Sequence, residues 1–383
     1  MEFSNKSKLL IVDDSAFMRK LISDFFEGNS KVEVIGIARN GKDAIKKIQQ
    51  LKPDVVTMDV EMPEMNGLDA LKEIMEVSPV PVIMLSSTTV SGAENTLSAI
   101  ENGAVDFVAK PSGTISLDLH KIKEELVHKV EQAAHVPVAK LKKPIGNKKT
   151  VLDVASTNNK SESTPLNKTI LQQRTNKGTA NIIKQKSTWS NTSKKIVLIG
   201  TSTGGPRALQ EVITKLPETI NAPILIVQHM PAGFTKSLAE RLNNLSKITV
   251  KEAEHGDRLQ NGVAYIAPGG WHLKLQKIGT NFEIQLDQQE PPRYGHRPAV
   301  DVMFENVSKF NDFDKIAVIM TGMGYDGSKG LIDLKQNGNV TAIAESADTC
   351  IVYGMPKAAV ETQLVDEVVA VDEIAQMIMK YLP

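Results

Sequence analysis

The sequence predicts an α/β protein built from two doubly wound parallel sheets. Short apolar runs alternate with amphipathic helical patterns in two parts of the chain, as in strand-helix-strand units. Eight of the runs end at a polar residue suited to chemistry, and parallel sheets collect such residues at the carboxyl ends of their strands. A length of 383 residues favours two domains that each bury a core.

Residues 6–130 are predicted to form the first domain. Helical patterns at 16–26 and 42–51 lie between short apolar runs, and each follows a turn or capping signal. The runs predicted as strands are 8–12, 32–38, 55–58, 82–85 and 107–109. Helices between consecutive strands predict a parallel sheet that is covered on both faces.

Residues 131–193 are predicted to be a flexible, Lys-rich linker. The apolar pattern gives way to Lys, Asn, Ser, Thr and Gln, which leaves too few aliphatic residues to bury a core. The stretch 135–193 carries eleven Lys or Arg residues and two acidic ones. A solvated tether accounts for this charge, and an anionic partner is the alternative.

Residues 194–383 are predicted to form the second domain, again α/β. Helical patterns at 207–216 and 235–245 separate several of its apolar runs. The runs predicted as strands are 196–199, 223–227, 263–267, 316–320 and 340–344. The segment 271–290 alternates polar and apolar residues around a glycine turn, which predicts an inserted β-hairpin.

Composition excludes several classes of function. Lys plus Arg and Asp plus Glu both total 45, so no net field draws the chain to nucleic acid or to an anionic membrane. No apolar stretch approaches the roughly 18 residues of a membrane span, and the amino terminus is unlike a secretory signal. Cys350 is the only cysteine, which excludes an internal disulfide and favours a packed side chain. We therefore expect a cytoplasmic protein without membrane insertion.

An acidic site is predicted in the first domain. Asp13 and Asp14 follow the first strand, Asp59 follows the third, Ser86 the fourth and Lys110 the fifth. Converging carboxylates repel one another unless a cation lies among them, and oxygen ligands suit Mg²⁺. One carboxylate could then accept a phosphoryl group, with lysine and serine offsetting the charge on its oxygens. Taken singly, an Asp after a strand is more often a helix cap.

These motifs together resemble the response-regulator receiver domain over about residues 6–130. The resemblance implies a flavodoxin-like fold, Asp59 as the phosphoacceptor, and Mg²⁺ held by Asp13, Asp14 and Asp59. It also implies that Ser86 and Lys110 sense the phosphoryl group. Phe107 matches the aromatic switch position of the family, and simple core packing is the alternative for it.

A hydrolase site is predicted in the second domain. Residues 200–204 read Gly-Thr-Ser-Thr-Gly, and this pattern presents a serine hydroxyl, here that of Ser202, at the start of a helix. Because such a loop also binds phosphate, the segment alone leaves both functions open. His229 and Asp326 end two other runs and supply a base and its orienting carboxylate at the same sheet edge. Competitors for these two roles are His255, His272, His296, Asp301 and Asp348.

Five segments of this domain resemble the catalytic domain of the chemotaxis protein-glutamate methylesterases, the CheB family, over about residues 194–380. They are 199–206, 228–231, 267–272, 297–301 and 321–327. The resemblance implies a Rossmann-like serine hydrolase that demethylates glutamate methyl esters on chemoreceptors and deamidates certain glutamines. It implies a triad of Ser202, His229 and Asp326, with no metal at this step.

The same resemblance implies the regulation and the finer parts of the site. The Met323 amide is expected to stabilise the oxyanion, and the loop 203–205 could give another donor. Arg297 could contact acidic receptor helices or be an exposed arginine without a role. A chemotaxis histidine kinase is the implied phosphodonor, and phosphorylation of Asp59 is expected to release a receiver that masks the hydrolase face.

Two other functions compete with this interpretation. A receiver-regulated nucleotide-binding module would use the loop 200–205 as a phosphate cradle, but it leaves His229 and Asp326 without a role. A transcriptional regulator is disfavoured because the second domain lacks a short basic helix-turn-helix pattern.

Overall fold

The computed structural model describes residues 6–110, 117–141 and 193–382. They form two units, each built on a sheet whose strand pairs are all parallel, so the predicted fold class is confirmed. Most of the predicted linker, residues 142–192, lies outside the described residues.

The first unit is a five-stranded sheet in the order β2-β1-β3-β4-β5. Its strands are β1 Ser7–Val12, β2 Val32–Ala38, β3 Val55–Asp59, β4 Val82–Ser86 and β5 Asp106–Ala109. Its helices are α1 Ala16–Phe25, α2 Gly41–Leu51, α3 Gly67–Val77, α4 Val90–Glu101, α5 Leu117–Ala133 and α6 Val138–Leu141. The strand order reverses between β1 and β3, and a crevice at such a point is where doubly wound sheets bind ligands.

The first helix shows why the aspartates at the end of β1 are available for chemistry. Ser15 is its N-cap, and the Ser15 hydroxyl accepts the amide proton of Met18. Asp13 and Asp14 are therefore not the capping residues, which was the structural alternative for them.

The last helices of this unit extend past residue 130, where the sequence placed the domain boundary. Helix α5 continues to Ala133 because one of its faces, which includes Leu126 and Val130, is buried. Leu141 at the end of α6 is also buried, and Lys140 Nζ donates to the Ala347 and Cys350 carbonyls of the second unit. Residues 131–141 are thus packed against protein.

The second unit is a seven-stranded sheet in the order β14-β13-β12-β6-β7-β9-β8. Its strands are β6 Lys194–Thr201, β7 Ile224–Gln228, β8 Thr249–Glu252, β9 Val263–Ile266, β12 Phe313–Ile319, β13 Val340–Glu345 and β14 Glu367–Val369. Its helices are α7 Gly205–Ile213, α8 Phe234–Leu245, α9 Val300–Ser308, α10 Ser328–Gln336, α11 Met355–Glu361 and α12 Val371–Lys380. Strands β8 and β14 were not predicted. Strand β8 (Thr-Val-Lys-Glu) carries a single apolar residue, and β14 (Glu-Val-Val) is only three residues long.

The inserted hairpin is present as a separate antiparallel pair. Strands β10 His272–Ile278 and β11 Asn281–Asp287 pair along their whole length around the predicted glycine turn. Leu273, Leu275 and Ile284 on one face are buried, so the hairpin packs on the second unit through its apolar side.

The two units share an interface formed by α4 of the first and by α7 and α8 of the second, with Phe107 of β5 also contacting α8. The rings of Phe107 and Phe234 stack across it with their centroids 4.6 Å apart. Arg241 Nε donates to Glu101 Oε1 at 2.8 Å, and a second guanidinium nitrogen pairs with the other carboxylate oxygen. None of the helices in the described part of the chain is long and apolar enough to cross a bilayer.

Candidate functional site

The structure brings the three predicted metal-site aspartates together. Carboxylate oxygens of Asp13, Asp14 and Asp59 all lie within 4.8 Å of one another. Asp13 and Asp59 are buried at the ends of β1 and β3, whereas Asp14 is exposed. Three converging carboxylates, one of them open to solvent, fit a hard divalent cation such as Mg²⁺ that keeps part of its water shell.

Lys110 lies between two of these aspartates. Its Nζ is 2.6 Å from Asp59 Oδ2 and 3.0 Å from Asp13 Oδ2. Burial and the neighbouring Asp13 charge raise the pKa of Asp59 despite this contact. Burial works against the charge of Lys110, but Asp59 and Asp13 outweigh it and raise its pKa. The ammonium group therefore offsets part of the carboxylate charge at this end of the sheet.

Ser86 and Phe107 are near this site but face elsewhere. The Ser86 hydroxyl is buried and donates to the carbonyl of Gly92 at 3.0 Å, so it does not contact Asp59. The ring of Phe107 is turned inward and stacks on Phe234 of the second unit. In this arrangement Phe107 belongs to the interface between the units.

The predicted hydrolase residues lie at the carboxyl ends of three adjacent strands. Ser202 follows β6, His229 follows β7, and Asp326 lies in the loop after β12. Backbone bonds hold these ends together: the Ser202 amide donates to the Thr321 carbonyl at 3.0 Å, and the His229 amide donates to the Thr201 carbonyl at 3.2 Å. The side chains of His229 and Asp326 are each only 3 % exposed.

His229 and Asp326 form a hydrogen bond of 2.8 Å between Nε2 and Oδ2. The Asp326 carboxylate also accepts the amide protons of Val300 at 2.7 Å and Asp301 at 2.8 Å. Burial opposes the charge of this carboxylate, but the His229 contact and these amides outweigh burial and lower the pKa of Asp326. An ionised carboxylate at Nε2 fixes the neutral tautomer of His229 in which Nδ1 carries the lone pair.

The other ring nitrogen of His229 is free to accept a hydrogen bond. Nδ1 is buried and has no hydrogen-bond partner among the described residues. The backbone of His229 bonds to Thr201, the residue before Ser202. No hydrogen bond in the described part of the chain, however, joins the Ser202 hydroxyl to the His229 ring. Such bonds are often long in the absence of substrate and shorten when it binds.

Two backbone amides near Ser202 are suited to an oxyanion. The amides of Met323 and Thr203 have no acceptor among the residues that the structure describes. The loop before Met323 approaches Ser202 so closely that a Cβ on Gly322 would lie 2.9 Å from Ser202 Cβ. Only glycine permits this approach, which keeps the Met323 amide beside the serine.

His296 is the one competing histidine that reaches the site. Its ring stacks on that of His229, with centroids 3.9 Å apart and an angle of 8° between the planes. Desolvation beside the stacked ring and the neighbouring His229 lower the pKa of His296, which favours its neutral form. His255 and His272 instead bond to the backbone of Leu286 and Pro291.

Two other residues singled out in the sequence have structural contacts. Cys350 is fully buried, and burial and Glu345 raise the pKa of its thiol, which makes it a poor nucleophile. Arg297 donates to the carbonyls of Gln288 at 2.7 Å and Glu290 at 3.2 Å. Its guanidinium group therefore holds the loop that carries His296.

Asp301 holds the segment that directly follows Asp326. It is fully buried, and its Oδ1 accepts the amides of Gly327 at 2.9 Å and Gly330 at 2.7 Å. Burial and the nearby Asp326 charge raise the pKa of Asp301 to about 6. The folded protein therefore favours the protonated Asp301 carboxyl. The stability that this group contributes is fully present below its unfolded pKa and is lost as the pH rises through its folded pKa.

Replacing Asp301 with Asn should stabilise the protein at neutral pH, because the amide keeps an acceptor oxygen and removes the charge. The difference between the ordinary value and a pKa of about 6 corresponds to at most about 3 kcal/mol. Thermal unfolding of the variant and the wild type at about pH 8 and at about pH 5 measures this difference in stability. The gain in stability from Asp301→Asn should be larger at the higher pH.

Asp314 gives a matched control, because Lys195, Ser193 and Asn339 lower its pKa despite burial. Asp314→Asn should destabilise the protein equally at both pH values, since both lie above the range in which this carboxylate titrates. An Asp301→Asn effect that is equal at both pH values would contradict the assignment.

The glycine-rich loop before α7 is filled by protein atoms. A Cβ on Gly205 would lie 1.9 Å from Gln228 Oε1. Gln228 Nε2 in turn donates to the Ser202 carbonyl at 3.0 Å. Side chains therefore occupy space that a phosphate cradle would leave to its ligand, which disfavours the nucleotide-binding interpretation.

The fold and the two sites define a response regulator whose second domain is a hydrolase. The family described as response regulator receiver domain matches residues 9–120, and the family described as CheB methylesterase matches residues 197–378. The chain belongs to the CheB family, the protein-glutamate methylesterases/protein-glutamine glutaminases.

Relatives with that name are similar over nearly the whole chain. The Geobacillus kaustophilus protein is 52 % identical over 382 residues, which cover 98 % of each chain. The Bacillus subtilis protein is 50 % identical over 371 residues, covering 97 % of each. Among solved structures, the Thermotoga maritima CheB methylesterase catalytic domain is 45 % identical and covers 49 % of this chain and 98 % of its own, with a TM-score of 0.47.

Proposed function

We propose that this protein hydrolyses γ-glutamyl methyl esters on methyl-accepting chemoreceptors and deamidates specific receptor glutamines. The observation that carries the proposal is the buried His229–Asp326 pair, whose free Nδ1 lies beside the loop that presents Ser202. A buried base of this kind serves to activate a hydroxyl nucleophile. The names of the relatives support the same pair of reactions.

In the first half of the reaction, Ser202 Oγ attacks the side-chain carbonyl carbon while His229 Nδ1 takes its proton. The C–O bond to the methoxy group then breaks, and the imidazolium returns the proton so that methanol leaves. In the second half, water attacks the acyl-enzyme with His229 again as the base, which releases the glutamate and restores Ser202. A glutamine follows the same course with ammonia as the leaving group.

The oxyanion formed in each half is stabilised by the amides of Met323 and Thr203. Neither amide has another acceptor among the described residues. Thr203 directly follows Ser202, and Met323 follows Gly322, which closely approaches Ser202. Asp326 remains ionised throughout and stabilises the imidazolium form of His229. His296 covers one face of the His229 ring without adding charge to it.

The receiver domain is proposed to take a phosphoryl group from a chemotaxis histidine kinase on Asp59. Asp13, Asp14 and Asp59 would hold Mg²⁺, which offsets the charge on the phosphoryl oxygens when it is bound. Lys110 is already paired with Asp59 and would pair with the phosphoryl oxygens once they are attached there. Ser86 must exchange its bond to the Gly92 carbonyl for one to the phosphoryl group.

Phosphorylation is proposed to weaken the interface between the domains and so to expose the hydrolase site. Asp106 of β5 accepts the proton of the Thr203 hydroxyl at 2.6 Å, and Thr203 is the residue after the nucleophile. Burial opposes the charge of Lys129, but Asp106 and Glu125 raise its pKa, so it stays paired with Asp106. The receiver thereby contacts the loop that must receive the substrate.

The ion pair between Glu101 and Arg241 offers a test of this gating. Glu101→Arg should raise the activity of the unphosphorylated protein about five- to tenfold, because losing a bidentate pair and adding repulsion costs about 1 kcal/mol or more of docking energy. The charge-swapped variant Glu101→Arg/Arg241→Glu should return the activity toward wild type. Initial rates without phosphodonor measure both, and a swap that leaves the rate high would contradict the role of this pair.

The proposal also covers the domain bounds, the location and the partners of the protein. We propose a receiver domain that begins at about residue 6 and includes α5 and α6 up to Leu141, and a catalytic domain at about 194–383. We also propose a cytoplasmic location, where receptor tails and the kinase are accessible. Neither nucleic acid nor membrane insertion is part of the proposed activity.

Mass spectrometry of receptor peptides tests the proposed reactions directly. Purified receptor membranes incubated with the protein and a phosphodonor should lose methyl groups from modified glutamates and should show glutamate at certain glutamine positions. If both kinds of site stay unchanged while the protein is folded and phosphorylated, the proposed function is wrong.

A further inference from the structure

The exposed aromatic residues of the second domain are concentrated beside the candidate active site. Within residues 193–382 they are Trp271, Tyr294 and Tyr325, which are 37, 36 and 50 % exposed. Large aromatic side chains gain free energy when they are buried, so an exposed group of them on one face marks a binding surface. We call Trp271, Tyr294, Tyr325 and the neighbouring Lys329 the aromatic rim.

Backbone and ring contacts connect the rim to the catalytic residues. Tyr325 directly precedes Asp326, and its ring meets that of Tyr294 edge-on with centroids 4.6 Å apart. Tyr294 is two residues before His296, which stacks on His229. Trp271 follows Gly270, whose amide donates to the Arg297 carbonyl at 2.8 Å. The rim therefore lies on the sheet edge where Ser202 lies.

The loop that carries Tyr294 is held in an unfavourable conformation. Tyr294 has a φ of 53°, a left-handed conformation that is costly for a bulky residue. Arg293 and His296 exchange two backbone hydrogen bonds of 2.9 Å around it, and the Arg293 guanidinium pairs with Glu290 and Glu305. Strain that the surrounding contacts maintain at a surface loop is typical of a functional position.

The rim carries a positive charge. Lys329 Nζ lies 5.5 Å from the centre of the Tyr294 ring, and the lysine forms no ion pair with a carboxylate in the described part of the chain. The acidic residues of the adjoining loop, Asp287 and Glu290, are already paired with Lys274. The Lys329 ammonium group is thus the charge that a partner would meet on the rim, and it complements carboxylates.

The receiver domain leaves this surface open. The exposed fractions above are those of the chain with its two domains docked. The receiver instead contacts the other side of the site, through Thr203, Phe234 and Arg241. A partner can therefore lie on the rim while the domains are still docked.

From these observations we infer that the aromatic rim binds the acidic polypeptide segment that surrounds the reacting glutamyl side chain of the receptor. This inference rests on the proposed function. A substrate whose ester is one side chain of a larger polypeptide must place its neighbouring residues on the surface around Ser202. Aromatic faces accept the apolar parts of such a segment, and Lys329 pairs with its carboxylates.

Two variants test the inference with two substrates. Trp271→Ala and Lys329→Glu should each raise the KM for methylated receptor membranes about tenfold with little change in kcat. Hydrolysis of a small substrate, N-acetyl-glutamate γ-methyl ester, should stay within about twofold of wild type because it does not reach the rim. Ile278→Ala is the matched control, since Ile278 is 50 % exposed at the tip of the hairpin and should change neither reaction.

The outcomes separate this inference from the proposed function. An unchanged receptor KM in both variants would overturn the role of the rim, and so would an equal loss on both substrates, which indicates a structural effect. A wild-type protein that releases no methanol from receptors would refute the proposed function itself. Cosedimentation of the unphosphorylated protein with receptor membranes gives a second measurement, in which both variants should bind about tenfold more weakly.

Discussion

Ser202→Ala should reduce the release of methanol from methylated receptors by about 10⁴-fold or more, because it removes the atom that forms the acyl-enzyme. The neighbouring hydrogen bonds use the backbone of Ser202, including its amide bond to Thr321 and its carbonyl bond to Gln228. The variant should therefore fold normally. Initial rates on receptor membranes, together with thermal unfolding, measure both effects.

Thr349→Ala is a suitable control for this variant. Thr349 is also a hydroxyl residue of the second domain, but its hydroxyl binds Glu345 Oε1, away from His229. It should keep activity close to wild type. A Ser202→Ala protein that is folded and retains more than about one hundredth of the wild-type rate would show that another residue is the nucleophile.

Asp59→Asn should abolish activation by a phosphodonor and leave only the low rate of the docked protein. The variant keeps the shape of the side chain but cannot form the acyl phosphate, so the equilibrium between docked and undocked domains no longer responds. Activity with and without acetyl phosphate measures the effect. The wild type should be activated, and the variant should show the same rate in both conditions.

The fragment 194–383 is the matching control for Asp59→Asn. It lacks the receiver and its contacts to Thr203 and Phe234, so it should be active without a phosphodonor. Its rate should approach that of the phosphorylated full chain. A folded fragment that is as inactive as the unphosphorylated protein would contradict masking by the receiver.

The fold could be predicted from the sequence because buried parallel strands leave a clear signal. Strands such as β1 and β6 are continuous apolar runs, since both faces of each sheet are covered by helices. The positions of the hydrolase residues could be predicted for the same reason. Ser202 and His229 directly follow two of these runs, and Asp326 lies in the glycine-rich loop after a third. The edge strand β8 has a polar, partly exposed sequence, and β14 is only three residues long, so neither gave a comparable signal.

Contacts between distant segments could not be predicted in this way. The stacking of His296 on His229 depends on a loop that crosses from the hairpin to α9. The interface contacts of Asp106 and Phe107 depend on how two domains meet, and a residue buried between domains has the same sequence pattern as one buried in a core. The extension of α5 to Ala133 has a similar cause, because its last turn gains its packing from tertiary contacts.

The most direct test of the central claim is the initial rate of labelled methanol release from methylated receptor membranes by the full chain, measured with and without acetyl phosphate. We expect measurable release that rises when the phosphodonor is added, because one crevice performs the hydrolysis and the receiver controls access to it. No release in either condition, or release that does not respond to phosphorylation of Asp59, would contradict the account.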